Sequence, residues 1–424
     1  MFEPWSSSAS QPNRRLAVAA VLVLALLSSC PAAAQASQPP VLKDAFAGCF
    51  SIGAAVNRQI VGGSTGRLGF GRRSAEQIER DRILVTTQFN SIAPENDLKW
   101  ALIHPQAGPD GYQWGPADAF VEFGERHGMY LVGHTLVWHS QTPLWVFQGD
   151  GPLINNSQAA EQTEAGEESS EPRGRRFRRP GLEGPRATRE QLLARMRDHI
   201  HTVVSRYRGR IKAWDVVNEA LSDRGEEVLR ESLWREIIGP DYIAKAFEYA
   251  HEADPDAVLR YNDYGLEDPA KRRKLIKLVR SLKAEGAPVM AIGTQAHLNV
   301  SSASFENMDR TLTELETLGL PIHVTELDIN SARRGQRNTG ADISGNVAAT
   351  EGGLVDEADR RLAEAYEDVF RAFLKHREKL DVVTFWGAND ANSWRSRGRP
   401  LLFDGASRPK PAFDAVLRTT TRAD

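Results

Sequence analysis

The chain runs to 424 residues, with 53 basic and 56 acidic side chains and 41% apolar residues, an ordinary globular composition with enough length for a large core. A formal net charge of −3 leaves no basic surplus for counterion release, which sets nucleic acid aside as a main partner. Two cysteines, Cys30 and Cys49, make at most one disulfide and no zinc ligand set, which sets a structural metal aside; no cofactor is expected.

Residues 1–36 read as an export signal. Arg14 and Arg15 precede an apolar run from Leu16 to Leu27, too short for the roughly 20 helical residues that span a bilayer. Two processing sites compete. Ala34-Gln35-Ala36 is a small-x-small site for cleavage before Ser37. Leu27-Ser28-Ser29-Cys30 resembles a lipoprotein box that leaves a lipid anchor on Cys30. Either outcome exports the protein, as a secreted or periplasmic molecule or as a membrane-anchored lipoprotein.

From about residue 41 to 420, short apolar segments alternate with longer stretches of helical spacing. The expected strands are Phe50–Val56, Phe89–Ala93, Tyr130–Val137, Ile211–Val217, Ala257–Tyr261, Val289–Thr294, Ile322–Thr325 and Val382–Trp386. Amphipathic segments between them include Glu190–Tyr207, Tyr242–Ala253, Ala270–Ala284 and Glu357–His376, the third announced by Asp268-Pro269. Eight strand-helix units predict a single α/β domain, a (β/α)8 TIM barrel. Residues 148–189 break the rhythm with an acidic block followed by a basic one, and predict a low-complexity, disordered insert after strand three. A second polar stretch, Ser331–Gly353, follows strand seven.

A parallel barrel builds its site at the C-terminal ends of its strands, and here those ends are polar and aromatic. Strand two runs into Glu95-Asn96 and Lys99; strand three carries His134 and ends in Trp138-His139-Ser140-Gln141. Strand four ends in Asn218-Glu219, strand five in Asn262-Asp263-Tyr264 and strand six in Gln295-Ala296-His297. Strand seven ends in Glu326-Leu327-Asp328, and strand eight in Trp386 with Trp394 beyond. Any one of these is explained by capping or rim solvation; the set together is not.

Acetal cleavage requires one protonated carboxyl group and one ionised, and Glu219 and Glu326, each behind an apolar run, are the candidate pair. Asn218 is suited to grip a sugar hydroxyl. His297 is suited to orient Glu326, with Asp328 on its other ring nitrogen. Tryptophan faces stack on pyranose rings, while amides, Lys99 and histidines bond hydroxyl groups. The expected partner is a sugar chain, and the protein is expected to act as a monomer.

Trp214-Asp215-Val216-Val217-Asn218-Glu219-Ala220, Thr325-Glu326-Leu327-Asp328-Ile329, Gly133-His134-Thr135-Leu136-Val137-Trp138-His139-Ser140-Gln141 and Ala93-Pro94-Glu95-Asn96 with Lys99-Trp100 resemble signatures of glycoside hydrolase family 10, the endo-1,4-β-xylanases. Tyr261-Asn262-Asp263-Tyr264, Gly293-Thr294-Gln295-Ala296-His297 and Phe385-Trp386-Gly387 follow in the family's order. The resemblance implies a retaining enzyme acting on xylan or xylo-oligosaccharides, with Glu219 as acid/base and Glu326 as nucleophile. It implies His297 and Asp328 as supports of the nucleophile and Asn218 as a contact of the 2-hydroxyl. It further implies Glu95, Asn96, Lys99, His134, Trp138 and Gln141 on the glycone side, Trp386 and Trp394 as stacking residues, and Tyr264 and Gln295 as substrate contacts.

Three features depart from that family. Leu98 stands where methionine is usual, the 148–189 insert is longer than the family's loop, and the segment between Trp394 and Pro400-Leu401-Leu402-Phe403-Asp404 is short. Three other readings stay open: the same chemistry on a β-glucan or aryl glycoside, a non-catalytic xylan-binding barrel, and a metal-dependent hydrolase using His134, His139 and His297. The last is weakened because His134 and His139, five apart on a strand, point to opposite faces.

Overall fold

The computed structural model describes Met1 and residues 41–62, 73–150, 185–331 and 352–421. The export signal with Cys30, the centre of the 148–189 insert and most of the 331–353 stretch lie outside these residues. Nine strands form one all-parallel sheet: β1 (Ser51–Val56), β2 (Ser91–Pro94), β3 (Tyr130–Trp138), β4 (Ala213–Asn218), β5 (Val258–Asp263), β6 (Ala291–Thr294), β7 (His297–Asn299), β8 (Ile322–Asn330) and β9 (Leu380–Phe385). Pairing of β1 with β9 and of β6 with β8 closes eight of them into the expected barrel.

The ninth strand was not expected. The three-residue β7 lies beside the far end of β8, in a register that sets His297 opposite Asp328 and Leu298 opposite Ile329. The alternation Glu326-Leu327-Asp328-Ile329 continues the apolar period past Thr325, which is why β8 runs to Asn330. This extension places Asp328 of β8 opposite His297 of β7.

Helices cover the outside. Arg189–Arg206 begins with a capping box in which Thr188 and Gln191 exchange hydrogen bonds, and Asp268 caps Pro269–Ala284 through the Ala270 and Lys271 amides. Their apolar faces meet outward-pointing strand residues such as Trp214, Val216 and Leu259, all fully buried in the main core. Leu98, at the departure noted above, is also fully buried there. Inward-pointing residues alternate with these: a small apolar layer of Ala93, Val132 and Ala213 is topped by charged and polar groups. In that upper layer Asp215 of β4 accepts from His134 Nδ1 of β3 (2.9 Å) and from Arg260 of β5 (3.1 Å), and Arg260 Nη1 donates to His323 Nδ1 of β8 (3.1 Å).

The insert needs a correction at its ends. Gln148 pairs with Arg186 in an antiparallel bridge, the Gly149 amide donates to the Pro185 carbonyl (2.7 Å) and the Ala187 amide to that of Phe147 (2.9 Å). Gln148 and Ala187 are buried, so the ordered fold extends into both ends of the stretch.

Candidate active site

Glu219 is the first residue beyond β4, in a left-handed backbone conformation with φ of 57°. Such a conformation costs a residue with a side chain about 1–2 kcal/mol and persists only when surroundings impose it. Here the Glu219 amide donates to the Asn262 carbonyl (2.9 Å), the Ala220 amide to the Tyr261 hydroxyl (2.9 Å) and the Leu221 amide to Asp263 Oδ2 (3.2 Å). The turn aims the carboxyl group into the barrel mouth. Its Oε1 accepts from Gln295 Nε2 (3.0 Å) and its Oε2 from Trp138 Nε1 (2.9 Å). Burial first, then the negative charges of Asp263 and Glu326, push its pKa up against those two hydrogen bonds.

Glu326 has the opposite bias. Its Oε2 lies 3.2 Å from His297 Nε2 and its Oε1 accepts from Asn262 Nδ2 at 2.9 Å. The other His297 nitrogen, Nδ1, lies 3.1 Å from Asp328 Oδ2. Burial alone would lower the His297 pKa, but the charge of Asp328 and the bonds to Asp328 and Glu326 outweigh it and push it up to about 9. For Glu326, burial favours the neutral acid, and the His297 hydrogen bond with the His134 and His297 charges overturns that preference and lowers the pKa. One carboxyl group is therefore held toward the acid and its neighbour toward the anion, although both are buried.

Asn262, named above only as a strand-end residue without a role, joins the two halves. Its amide group donates to Asn218 Oδ1 and Glu326 Oε1 at 2.9 Å each, and its oxygen accepts from Thr325 Oγ1 (2.7 Å). A glycine must face it across β5 and β6: a Cβ on Gly293 would sit 2.4 Å from Asn262 Oδ1. Asn218 Oδ1 also accepts from Gln295 Nε2 (3.3 Å), which leaves the Asn218 amide nitrogen as its binding end. Arg395 is a second missed residue. It donates to Asp328 Oδ1 (2.8 Å), while the neighbouring Trp394 Nε1 donates to Asp328 Oδ2 (2.8 Å). Beside tryptophan in a polar loop it has no sequence signal; Asn262 had one, its place at a strand end next to the paired Asn218.

The remaining expected residues line the same mouth. Lys99 Nζ donates to Asn96 Oδ1 (3.0 Å) and stands 5.2 Å from the Trp138 ring centre. Burial lowers its pKa against the pull of Glu95, Glu326 and Glu219, and burial likewise pushes Glu95 up to about 7 despite Lys99. Trp386 packs with its ring centre 5.2 Å from that of His134, and Trp394 lies 4.9 Å from His297. The Tyr264 hydroxyl donates to Asp223 Oδ2 (2.6 Å), and Gln141 is exposed on the loop after β3. Trp138 and Gln295 thus touch Glu219 directly. His139 meets Arg230 Nη1 (3.2 Å) rather than His134, and among the described residues no group of three or more His, Cys, Asp or Glu is placed to hold a metal ion.

A (β/α)8 barrel with two buried carboxyl groups at its mouth, one pKa pushed up and the other down, ringed by amides and tryptophans, is the apparatus of a glycoside hydrolase. The family model described as glycosyl hydrolase family 10 matches residues 42–419, and the chain belongs to this family. It is similar to a β-1,4-xylanase of Dictyoglomus thermophilum, at 35% identity over 96% of this chain and 99% of that one. It is also similar to an endo-1,4-β-xylanase of Geobacillus stearothermophilus, at 36% identity over 90% of this chain and 99% of that one. Among solved structures, a GH10 endoxylanase from a sugarcane soil metagenome superposes with a TM-score of 0.73 at 36% identity, covering 89% of this chain and 99% of that chain. An intracellular xylanase of Thermoanaerobacterium saccharolyticum, in a mutant complex with xylotetraose, gives 0.69 at 33% identity over 89% and 98% of the two chains.

Proposed function

We propose that the protein is an exported endo-1,4-β-xylanase that hydrolyses internal bonds of xylan by a retaining double displacement. The opposed biases of Glu219 and Glu326 support this reading most directly. Glu326, ionised at neutral pH, attacks the anomeric carbon. Glu219 protonates the departing oxygen and then, as a carboxylate, takes a proton from the water that releases the product. His297, held between Glu326 and Asp328, fixes the nucleophile's orientation and charge. The Asn218 amide nitrogen is assigned to the 2-hydroxyl of the sugar under attack, and Glu95, Asn96, Lys99, His134 and Gln141 to the sugars before it. Trp386 and Trp394 are assigned as stacking surfaces.

The substrate follows from the names of the relatives, and is tested by hydrolysis of xylan against β-glucan and cellulose with the newborn anomer followed by NMR. Rapid release of β-configured xylo-oligosaccharides is expected; α-configured products, or preference for β-glucan, overturn the mechanism or the substrate respectively. Export rests on residues 1–36, and mass spectrometry of the mature N-terminus reads it. A start at Ser37 gives free release, our preferred outcome, and a diacylglyceryl adduct on Cys30 gives a membrane-held enzyme.

A further inference from the structure

We propose that Lys271, with Asp223 and Arg230, is a positioning brace that fixes Tyr264 as a sugar platform on the leaving-group side of the cleft and ties it to the backbone that aims Glu219. The inference deepens the xylanase reading and rests on it.

Tyr264 directly follows β5, where a free aromatic side chain would swing. Three groups prevent it. The Lys271 ammonium stands 3.3 Å from the ring centre, closing one face by a cation–π contact. The hydroxyl donates to Asp223 Oδ2 (2.6 Å) and accepts from Arg230 Nη2 (3.0 Å). With one face covered and the hydroxyl held from two sides, only the opposite face is left for a ligand, and an aromatic face of fixed angle is what a pyranose ring stacks against.

Its side of the cleft follows from strand order. Glu95, Asn96 and Lys99 follow β2, Glu219 follows β4 and Tyr264 follows β5, so the platform adjoins the proton donor on the side away from the β2 residues. A general acid stands beside the leaving oxygen, and the sugar carrying that oxygen lies toward Tyr264.

The brace also reaches Glu219. Lys271 Nζ pairs with Asp223 Oδ1 (2.8 Å) and with Asp263 Oδ1 (3.0 Å). The other oxygen of Asp263 takes the Leu221 amide (3.2 Å) and the Tyr261 hydroxyl (2.6 Å), and that hydroxyl takes the Ala220 amide (2.9 Å). The two residues after Glu219 and the platform therefore hang from one buried carboxylate, which a mere surface ion pair would not require.

The test compares xylohexaose, which places sugars on both sides of the cut, with 2,4-dinitrophenyl β-xylobioside, whose leaving group is no sugar and needs no proton. Lys271→Met is expected to lose about tenfold in kcat/KM on xylohexaose, to stay within about twofold on the aryl glycoside, and to shift the cleavage position of end-labelled xylohexaose. Tyr264→Phe, which keeps the ring and removes the hydroxyl, is expected to lose less in the same pattern, and Lys271→Arg to restore most of the loss. Equal losses on both substrates, or none on either, overturn the proposal, and Tyr264→Phe carries the same comparison should Lys271→Met fail to fold. A wild-type enzyme that prefers cello-oligosaccharides displaces the substrate reading alone, because the same split measured on cellohexaose still decides the brace.

Discussion

Glu219 and Glu326 are similarly buried, so burial alone would raise both; what separates them is the neighbouring charge. Glu219 faces Asp263 and Glu326, whereas Glu326 has the His297 imidazolium against it. Activity therefore falls as pH drops through the lowered pKa of Glu326 and again as pH climbs through the raised pKa of Glu219. Replacing His297 by asparagine removes the cation, lets the Glu326 pKa rise and moves the acid limb of kcat/KM to higher pH. An unmoved acid limb would detach His297 from the ionisation of Glu326. Alanine at Glu326 is expected to abolish turnover on every substrate. Alanine at Glu219 is expected to cost about 10²–10⁴-fold on xylan yet spare the first step on a dinitrophenyl glycoside. Equal loss for both variants on that glycoside would reverse or dissolve the assignment.

The strands and the insert show where sequence reading succeeds and stops. Each barrel strand was legible because its apolar run is bounded by turn or rim residues, and Asp268-Pro269 marked its helix start by the cap it forms. The strand β7 was illegible: three residues with one fully covered side chain carry no period, and their pairing depends on register with β8, a non-local fact. In the site, the two glutamates and the His297–Asp328 pair could be read from their places after apolar runs. Asn262 as a bridge and Arg395 under Asp328 could not, since each acts through a partner distant in the chain. The ends of the insert misled because composition does not reveal a backbone pairing such as Gly149 with Pro185. Removing residues 151–184 and joining Asp150 to Pro185 by a short turn keeps that pairing. Such a variant is expected to melt within a few degrees of the parent and to hydrolyse xylan at a similar rate, because closing a shorter loop changes the entropy little. Deletion from Gln148 to Arg186 would also remove the bridge and is expected to cost more; differential scanning calorimetry of the two variants checks the order.

Under the site, the barrel is stitched across four strands by His134, Asp215, Arg260 and His323. Burial would raise the Asp215 pKa, but the Arg260 charge and the His134 and Arg260 hydrogen bonds hold it at about 2, against an ordinary 3.8. A folded-state pKa lowered in this way contributes stability above the unfolded value and loses it as pH falls through the folded one, an effect of roughly 2 kcal/mol between about pH 4 and pH 2. Asp215→Asn leaves a buried guanidinium without its counter-charge and is expected to cost about 3–5 kcal/mol at neutral pH. Denaturant titration of parent and variant at pH 7 and pH 3 checks both statements: the parent should approach the variant at pH 3, where Asp215 is protonated in the unfolded chain but still ionised in the folded one, and a constant gap would deny the linkage.

The antiparallel neck at Gln148 and Arg186 has a use beyond holding its loop. Two chain ends that leave the barrel side by side, already hydrogen-bonded to each other, form a socket into which any unit with adjacent termini fits without stretching either polypeptide. The neck follows β3, the strand that supplies His134 and Trp138, so a carbohydrate-binding module spliced there would be tethered near the cleft, its effective concentration of polymer set by the neck and not by a long terminal linker.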